Sequence, residues 1–439
     1  MRTERNDRRM EDNRQNQELP NQDIEFIKEK VKERPLNRKK LVKRTLLTAS
    51  MAVVFGLIAC LTFLVLEPVF SNLLYPEEEP QMVELKEEDI EDEMRPEDML
   101  LEETETVPEE SQTVIEKVPL EISDYQKLYR NLYTVAKGFS ERSLVTVTGA
   151  VSDVDWFDNT YENEGQSAGL LVADNGKEFL VLADNRMVQK AESLEVTFSD
   201  GSTVEAHIKG TDEETGLAVL SILREGIPES IKKNLKPAVM GSSGIGLLAS
   251  PVIAVGRPQG TETVVFGMVT STDSIENLTD HNVHLLKTDM TEMQNSGGVL
   301  LNLSGQVVGI LKGGTEDCRP GAMSAYGITD LIATIGKLSN GQEIAHMGIN
   351  GTDVPEAVHL EKNVPRGAYV TGIVMDSSAM KAGIQSGDVI VKLQDSEISS
   401  FKEYHAALLE LTPGMTVSVT IMRQGQDGYQ EMQVDVILE

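Results

Sequence analysis

Cysteine is nearly absent from this 439-residue chain: Cys60 lies in an apolar run and Cys318 in a Gly-rich loop. That pair excludes a disulfide framework and a Cys-based zinc site, and leaves Cys318 as a single free thiol. Positive charge is scarce as well, with 40 Lys and Arg against 71 Asp and Glu, a formal net charge of -31. Nucleic acid is excluded as a partner on that ground, because phosphate binding needs clustered Lys and Arg to displace condensed counterions. The six histidines are scattered. His281 and His284 lie in a polar stretch that reads as a solvated loop rather than a metal site, and no cofactor is implied.

What is present begins with a membrane signal. From Thr45 to Leu66 the run TLLTASMAVVFGLIACLTFLVL carries no charge, and as a helix it spans roughly 33 Å, enough to cross a bilayer. No small-x-small site follows it in SNLLYPEEE, so a retained anchor is favoured over a cleaved signal. Arg38, Lys39, Lys40, Lys43 and Arg44 precede the run and acidic residues follow it. The positive-inside rule therefore places segment 1–44 in the cytoplasm and everything after 66 outside, in a single-pass protein of the cell membrane. Residues 67–123 form an acidic linker. Over 76–121 like charges, several prolines and the lack of an apolar period predict a disordered, self-repelling spacer, with an r.m.s. span of roughly 35 to 40 Å.

After Asp124 the pattern changes. DYQKLYRNLYTVAKGF sets Leu128, Leu132, Val135 and Phe139 at helical spacing, and the alternating strand SLVTVTG follows. Short strands then recur, among them Glu178 to Leu182, Thr203 to Lys209, Ala218 to Ile222, Thr261 to Thr270 and Val283 to Thr288. Many short strands broken by Gly, Asn and Asp turns predict closed antiparallel barrels or a sandwich, which leave few free edges. GSSGIG, from Gly241 to Gly246, lacks the Lys-Ser/Thr ending of a phosphate loop and reads as a turn. Asn295-Ser296-Gly297-Gly298 before an apolar strand is either an ordinary turn or a serine-nucleophile loop.

The order of motifs decides between those readings. FLVLADNRMVQKA, GTDEETGLAVLSI, SPVIAVGRPQG, VVFGMVTST, LLKTDMTEMQNSGGVLLNLSGQVVGI and AYGITDLI follow one another as in the HtrA (DegP-like) serine proteases, which the chain resembles from about residue 125 to its end. The resemblance implies a mainly β fold: a trypsin-like double β-barrel over 124–340 followed by a PDZ domain over 341–439, behind the N-terminal transmembrane helix. It makes Ser296 the nucleophile, with the amides of Gln294 and Ser296 as oxyanion donors. It also places Arg186 where the catalytic histidine belongs and Gly216 where the aspartate belongs. The family's loop before the serine is one residue longer and carries glycine where Gln294 stands.

These departures bear on chemistry. A serine hydroxyl attacks a carbonyl only if a base takes its proton, which a neutral imidazole does near pH 7. Arginine stays charged and has no acceptor, and glycine orients nothing. The expectation is a membrane-anchored pseudoprotease that binds extracytoplasmic polypeptides and acts as a sensor, adaptor or scaffold. The alternative is an active serine endopeptidase of protein quality control, with Asp184, Asp289 or Glu292 as substitute base.

In the C-terminal part, Ala382-Gly383-Ile384 and Gly387-Asp388-Val389-Ile390 match the PDZ pattern. Such domains bind a C-terminal peptide as an added strand and capture its carboxylate on backbone N–H groups. By position the capturing loop is His346-Met347-Gly348-Ile349, so Met347, Gly348 and Ile349 are the expected peptide-binding residues and protein C-termini the expected partners. Alternatively, Met347 and Ile349 simply pack in the core. The helix from Ser400 to Leu411 would form the other wall. Family members form trimers through the protease domain, which puts a homotrimer among the expected assemblies.

Overall fold

The computed structural model describes residues 80–87, 121–154, 160–244, 246–257, 262–291, 297–312, 322–426 and 428–439, with residues 43, 46–47, 49–58 and 62 nearer the N-terminus. The expected transmembrane helix therefore lies only partly within the described residues, and segment 1–44 falls almost wholly outside them. Residues 49–58 are helical, with Met51, Val53, Val54, Phe55, Leu57 and Ile58 exposed. Among the described residues no helix is long and apolar enough to cross a membrane.

The chain from residue 121 opens with helix α1 (Ile122–Ser143), whose first turn is closed by reciprocal bonds between Glu121 and Asp124. Phe139 is buried and Leu132 and Val135 pack on the core, but Leu128 is half exposed. Ile122, Tyr125, Tyr129 and Tyr133 form a second, exposed stripe along the same helix. Helical spacing identified an apolar face without saying what covers it.

Seven strands follow: β1 (Leu144–Val154), β2 (Thr160–Asp174), β3 (Glu178–Asp184), β4 (Ser193–Thr197), β5 (Thr203–Glu205), β6 (His207–Asp212) and β7 (Leu217–Leu223). They pair in the order β5-β4-β1-β2-β3-β7-β6. The two edges, β5 and β6, are consecutive in the chain and meet at Ala206, where the single strand expected over Thr203 to Lys209 is broken. One bent strand thus pairs with both ends of the sheet and curls it towards closure. Side-chain alternation explains why β3 is buried along its middle. Leu180 and Leu182 point into the core shared with the second barrel, while Phe179, Val181 and Ala183 fill the first barrel's interior.

The second half is a closed barrel of β8 (Pro251–Gly256), β9 (Thr263–Leu278), β10 (His281–Thr291), β11 (Gly298–Leu301), β12 (Val307–Leu311) and β13 (Ala322–Gly327). Helix α3 (Ile328–Ser339) packs Leu331, Ile335 and Leu338 into the shared core; the short helix α2 (Asn185–Val188) lies at the end of β3. A third sheet, β14 (Ile349–Asp353), β15 (Ala368–Ile373), β16 (Val389–Leu393) with β17 (Ser396–Glu397), β18 (Thr416–Gly425) and β19 (Gly428–Ile437), has its own core. Helix α4 (Phe401–Leu409), capped by the Ser400 hydroxyl, seals that core with Phe401, Tyr404 and Leu408. Asp388, 1% exposed, takes both forks of the Arg423 guanidinium at 2.7 Å.

One stretch of the expected spacer is not a free coil. Residues 80–87 run extended along the barrels: Gln81 N–H donates to Asn175 O at 3.1 Å, and Asn340 brackets Val83 through N–H···Oδ1 at 2.9 Å and Nδ2–H···O at 3.0 Å. Val83 and Leu85, two apart, pack against the shared core. An alternating apolar pair with a side-chain amide to satisfy its backbone is enough to dock a strap inside an otherwise acidic segment.

Candidate active-site cleft and peptide-end loop

Between the barrels lies a cavity of about 340 Å³. The end of β3 brings Arg186 to it, the turn before β7 brings Gly216, and Gly297, next to Ser296, reaches it from the start of β11. Positions far apart in sequence are therefore neighbours: Asn185 N–H donates to Gly216 O at 2.9 Å. Ser296, Gln294 and Glu292 lie outside the described residues, as do Cys60 and Cys318, and so do the expected oxyanion donors.

Most of the charged groups that face the cleft are already committed, the exposed Glu214 carboxylate excepted. Asp184 caps α2 by accepting the Arg186 backbone N–H at 2.9 Å, and holds the same residue's guanidinium through Nε at 3.0 Å and Nη2 at 2.6 Å. That carboxylate raises the guanidinium's pKa further, so Arg186 is a fixed cation. Across the cavity, Lys312 pairs with Glu276 at 2.5 and 2.7 Å, and Tyr326 Oη donates to Glu276 at 3.2 Å. Burial, followed by the Glu276 charge, pushes the Tyr326 phenol upward and keeps it protonated. Of the substitute bases considered, Asp184 is locked to Arg186, and Asp289 Oδ1 accepts the Met268 N–H at 2.8 Å. No histidine lines the cleft among the described residues. The Glu276–Lys312–Tyr326 group carried no sequence signal, because its members sit on β9, β12's end and β13 and meet only when the barrel closes.

The peptide-end loop is arranged differently. Met347 and Ile349 are 1% and 0% exposed, with their side chains in the third core. Their amides, with that of Gly348, all point outward at one carboxylate. Met347 and Gly348 N–H donate to Asp280 Oδ2 at 2.8 Å each, and Ile349 N–H to Asp280 Oδ1 at 3.0 Å. Asp280 belongs to the turn between β9 and β10 of the second barrel and is 2% exposed. His346 Nε2 lies 3.4 Å from Asp212, and its Nδ1 3.7 Å from Asp280, too long for a hydrogen bond. Burial opposes its charge, yet the two carboxylates outweigh it and lift the His346 pKa to about 10.

Beside it, His281 and His405 stack face to face with ring centroids 3.7 Å apart. Burial first, then the neighbouring ring, depresses His281 to about 3, and burial lowers His405 as well. His281 was read as part of a solvated loop. It is 5% exposed, because the β9–β10 turn is covered by the third domain.

A pH dependence follows. The His346 pKa stands above the ordinary 6.5, so its stabilisation is complete below pH 6.5 and is lost as pH rises towards about 10. His281 acts in the opposite sense, holding stability above pH 6.5 that is lost as pH falls towards about 3. Thermal melts of His346→Gln beside wild type should show a deficit that is largest below pH 6.5 and shrinks as pH rises to 10. A deficit that grows with pH would contradict the charge assigned to His346.

Comparison with known proteins accords with this geometry. Residues 167–310 match the trypsin-like peptidase domain and residues 345–436 the PDZ domain. The chain is HtrA-like: a trypsin-like peptidase domain followed by a PDZ domain. It is 28% identical over 285 residues to the serine protease Do-like HtrA of Lactococcus lactis, covering 60% of this chain and 68% of that one. To the periplasmic pH-dependent serine endoprotease DegQ of Escherichia coli it is 27% identical over 293 residues, covering 63% of this chain and 60% of that one. A solved variant of the HtrA-type protease AlgW with a decapeptide superposes with TM-score 0.50 at 20% identity, over 70% of this chain and 97% of that one, which shows the fold. In this HtrA-like chain the cleft between the barrels lies in the peptidase-like part and the three-amide loop in the PDZ part.

Proposed function

We propose that this chain is an HtrA-like pseudoprotease that holds polypeptides without cutting them, as a sensor, adaptor or scaffold. The observation that carries the reading is the Arg186–Asp184 pair at the mouth of the cleft. A guanidinium with both faces of its fork engaged cannot accept the Ser296 proton, and the carboxylate next to it is consumed by that pairing. Glycine at 216, with φ 69 and no neighbour within 4 Å of where a Cβ would lie, supplies no orienting acid.

Polypeptide binding is supported by the PDZ match and by the three converging amides of Met347, Gly348 and Ile349, a carboxylate cradle of the kind that holds chain ends. Membrane anchoring, with both domains extracytoplasmic, rests on the uncharged run 45–66 and its basic N-terminal flank. The exposed Ile122, Tyr125, Tyr129 and Tyr133 stripe favours self-association, which sedimentation of the detergent-solubilised chain would read as a homotrimer, a monomer counting against it.

The test is binding without turnover. Full-length chain in detergent is incubated with fluorescent unfolded casein, and retention and cleavage are followed together. Wild type and Ser296→Ala should bind alike and give no fragments. Fragments from wild type alone would establish the active endopeptidase instead.

A further inference from the structure

The β9–β10 turn does to the PDZ loop what a peptide end would do. Three consecutive amides converge on the Asp280 carboxylate at 2.8, 2.8 and 3.0 Å. The buried Tyr404 hydroxyl, from the helix that walls the groove, adds a fourth donor at 2.7 Å. Both carboxylate oxygens are thereby satisfied without water. The mimicry extends to the backbone. Asp280 N–H donates to Ile349 O at 2.7 Å, the first rung that an added strand would make with β14, and His405 Nδ1 meets Asp280 O at 3.0 Å. Asp280 adopts φ 58, a left-handed conformation that Asp tolerates better than most residues and that aims its side chain and N–H at the same loop.

Resting on the reading of this loop as a peptide-end site, we infer that Asp280 is a built-in ligand of the PDZ carboxylate cradle, so that the groove is closed by the chain's own β9–β10 turn until a free C-terminal carboxylate displaces it.

Two features make the closed arrangement more than an incidental contact. The partner is tethered, so it competes at an effective concentration in the millimolar range, which a free peptide must exceed in affinity. The turn is also continuous with the cleft: Leu278, two residues before Asp280, lines it, and Glu276 anchors Lys312 and Tyr326 inside it. A peptide that expels Asp280 therefore frees the end of the strand that forms one wall of the cleft.

The experiment uses the full chain in detergent, as wild type, Asp280→Ala and the milder Asp280→Asn, each checked by circular dichroism for retained folding at the temperature of the measurement. Hydrogen exchange by mass spectrometry reads the segment containing Met347, Gly348 and Ile349. Binding is read by fluorescence anisotropy with a pool of decapeptides randomised in their last four positions, with free or amidated C-termini. Exchange of that segment should accelerate in the variants, and affinity for the free-acid pool should rise about tenfold or more, the shift expected when a closed form holds about nine-tenths of the molecules. The amidated pool should bind no better than before.

Unchanged exchange in both variants would overturn the proposal, because the amides would then not depend on Asp280. Faster exchange with no free-acid preference would overturn the peptide-end reading of the loop, and the displacement step with it. Should Asp280→Ala fail to fold, Asp280→Asn alone carries the test with the same outcomes.

Discussion

Gly348→Ala is expected to collapse the PDZ domain's peptide-end loop and lower that domain's thermal midpoint by more than about 10 °C. Gly348 has φ 86, a conformation that costs a side-chain-bearing residue roughly 1 to 3 kcal/mol. An added Cβ would also land inside the Ser377 side chain, which cannot retreat because Ser377 caps the helix Ser378–Ala382 through its hydroxyl. Overpacking of this kind costs roughly 1 to 3 kcal/mol more. Both terms fall on a small domain whose total stability is of the order of 5 to 15 kcal/mol. Differential scanning calorimetry of the full chain should show the loss in the PDZ transition, with the barrel transition less affected. A midpoint within about 3 °C of wild type would mean that the loop can rebuild itself around a side chain.

Much of this architecture was legible because its signals are local. The buried run of β3 and the apolar β7 identify themselves by composition, and the resemblance to the HtrA proteases at Asn185-Arg186-Met187 and Thr215-Gly216-Leu217 implies which residues flank the cleft. Both sites in fact line one cavity. The Ser400-capped helix after β17 was expected from Ser400 to Leu411 and spans Phe401–Leu409.

What escaped the sequence is non-local. Asp280 reads as an ordinary turn residue in NLTDHN, and nothing in that hexapeptide announces three amides 67 to 69 positions away. His346 could be placed in the loop by pattern, but its charge depends on Asp212, a residue of the first barrel, and on the same Asp280. The strap at 80–87 was masked by its composition. Acidic residues dominate the segment, yet two apolar side chains and the amide of Asn340 settle its path. The break at Ala206 is of the same kind, since β5 and β6 differ in their partners and not in their residue types.

For the proposed pseudoprotease, the lack of a histidine in the cleft among the described residues has the largest consequence of all. In a serine protease the loss of a triad member lowers kcat by about 10⁴- to 10⁶-fold, and what remains comes from the oxyanion hole and substrate binding. In the proposed reading Arg186, fixed by Asp184, stands at the histidine position and Gly216 at the aspartate position, while Tyr326 and Lys312 are tied to Glu276. Arg186, Tyr326, Lys312, Asp184 and Glu276 are thus either held protonated or already paired. Of the two exposed carboxylates that also line the cleft, Glu213 accepts from Gln189 at 2.6 Å and Glu214 stays in solvent, where a carboxylate is a poor base for a serine hydroxyl.

A fluorophosphonate probe reads that chemistry at the nucleophile itself, independently of which polypeptide the chain binds. Full-length protein and Ser296→Ala are exposed to the probe alongside an active trypsin-fold protease, and the covalent adduct is followed by intact mass. Labelling of wild type is expected to be at least about 10⁴-fold slower than the active control and no faster than Ser296→Ala. Stoichiometric labelling of Ser296 within minutes, abolished in Ser296→Ala, would contradict the reading and require a base in the cleft.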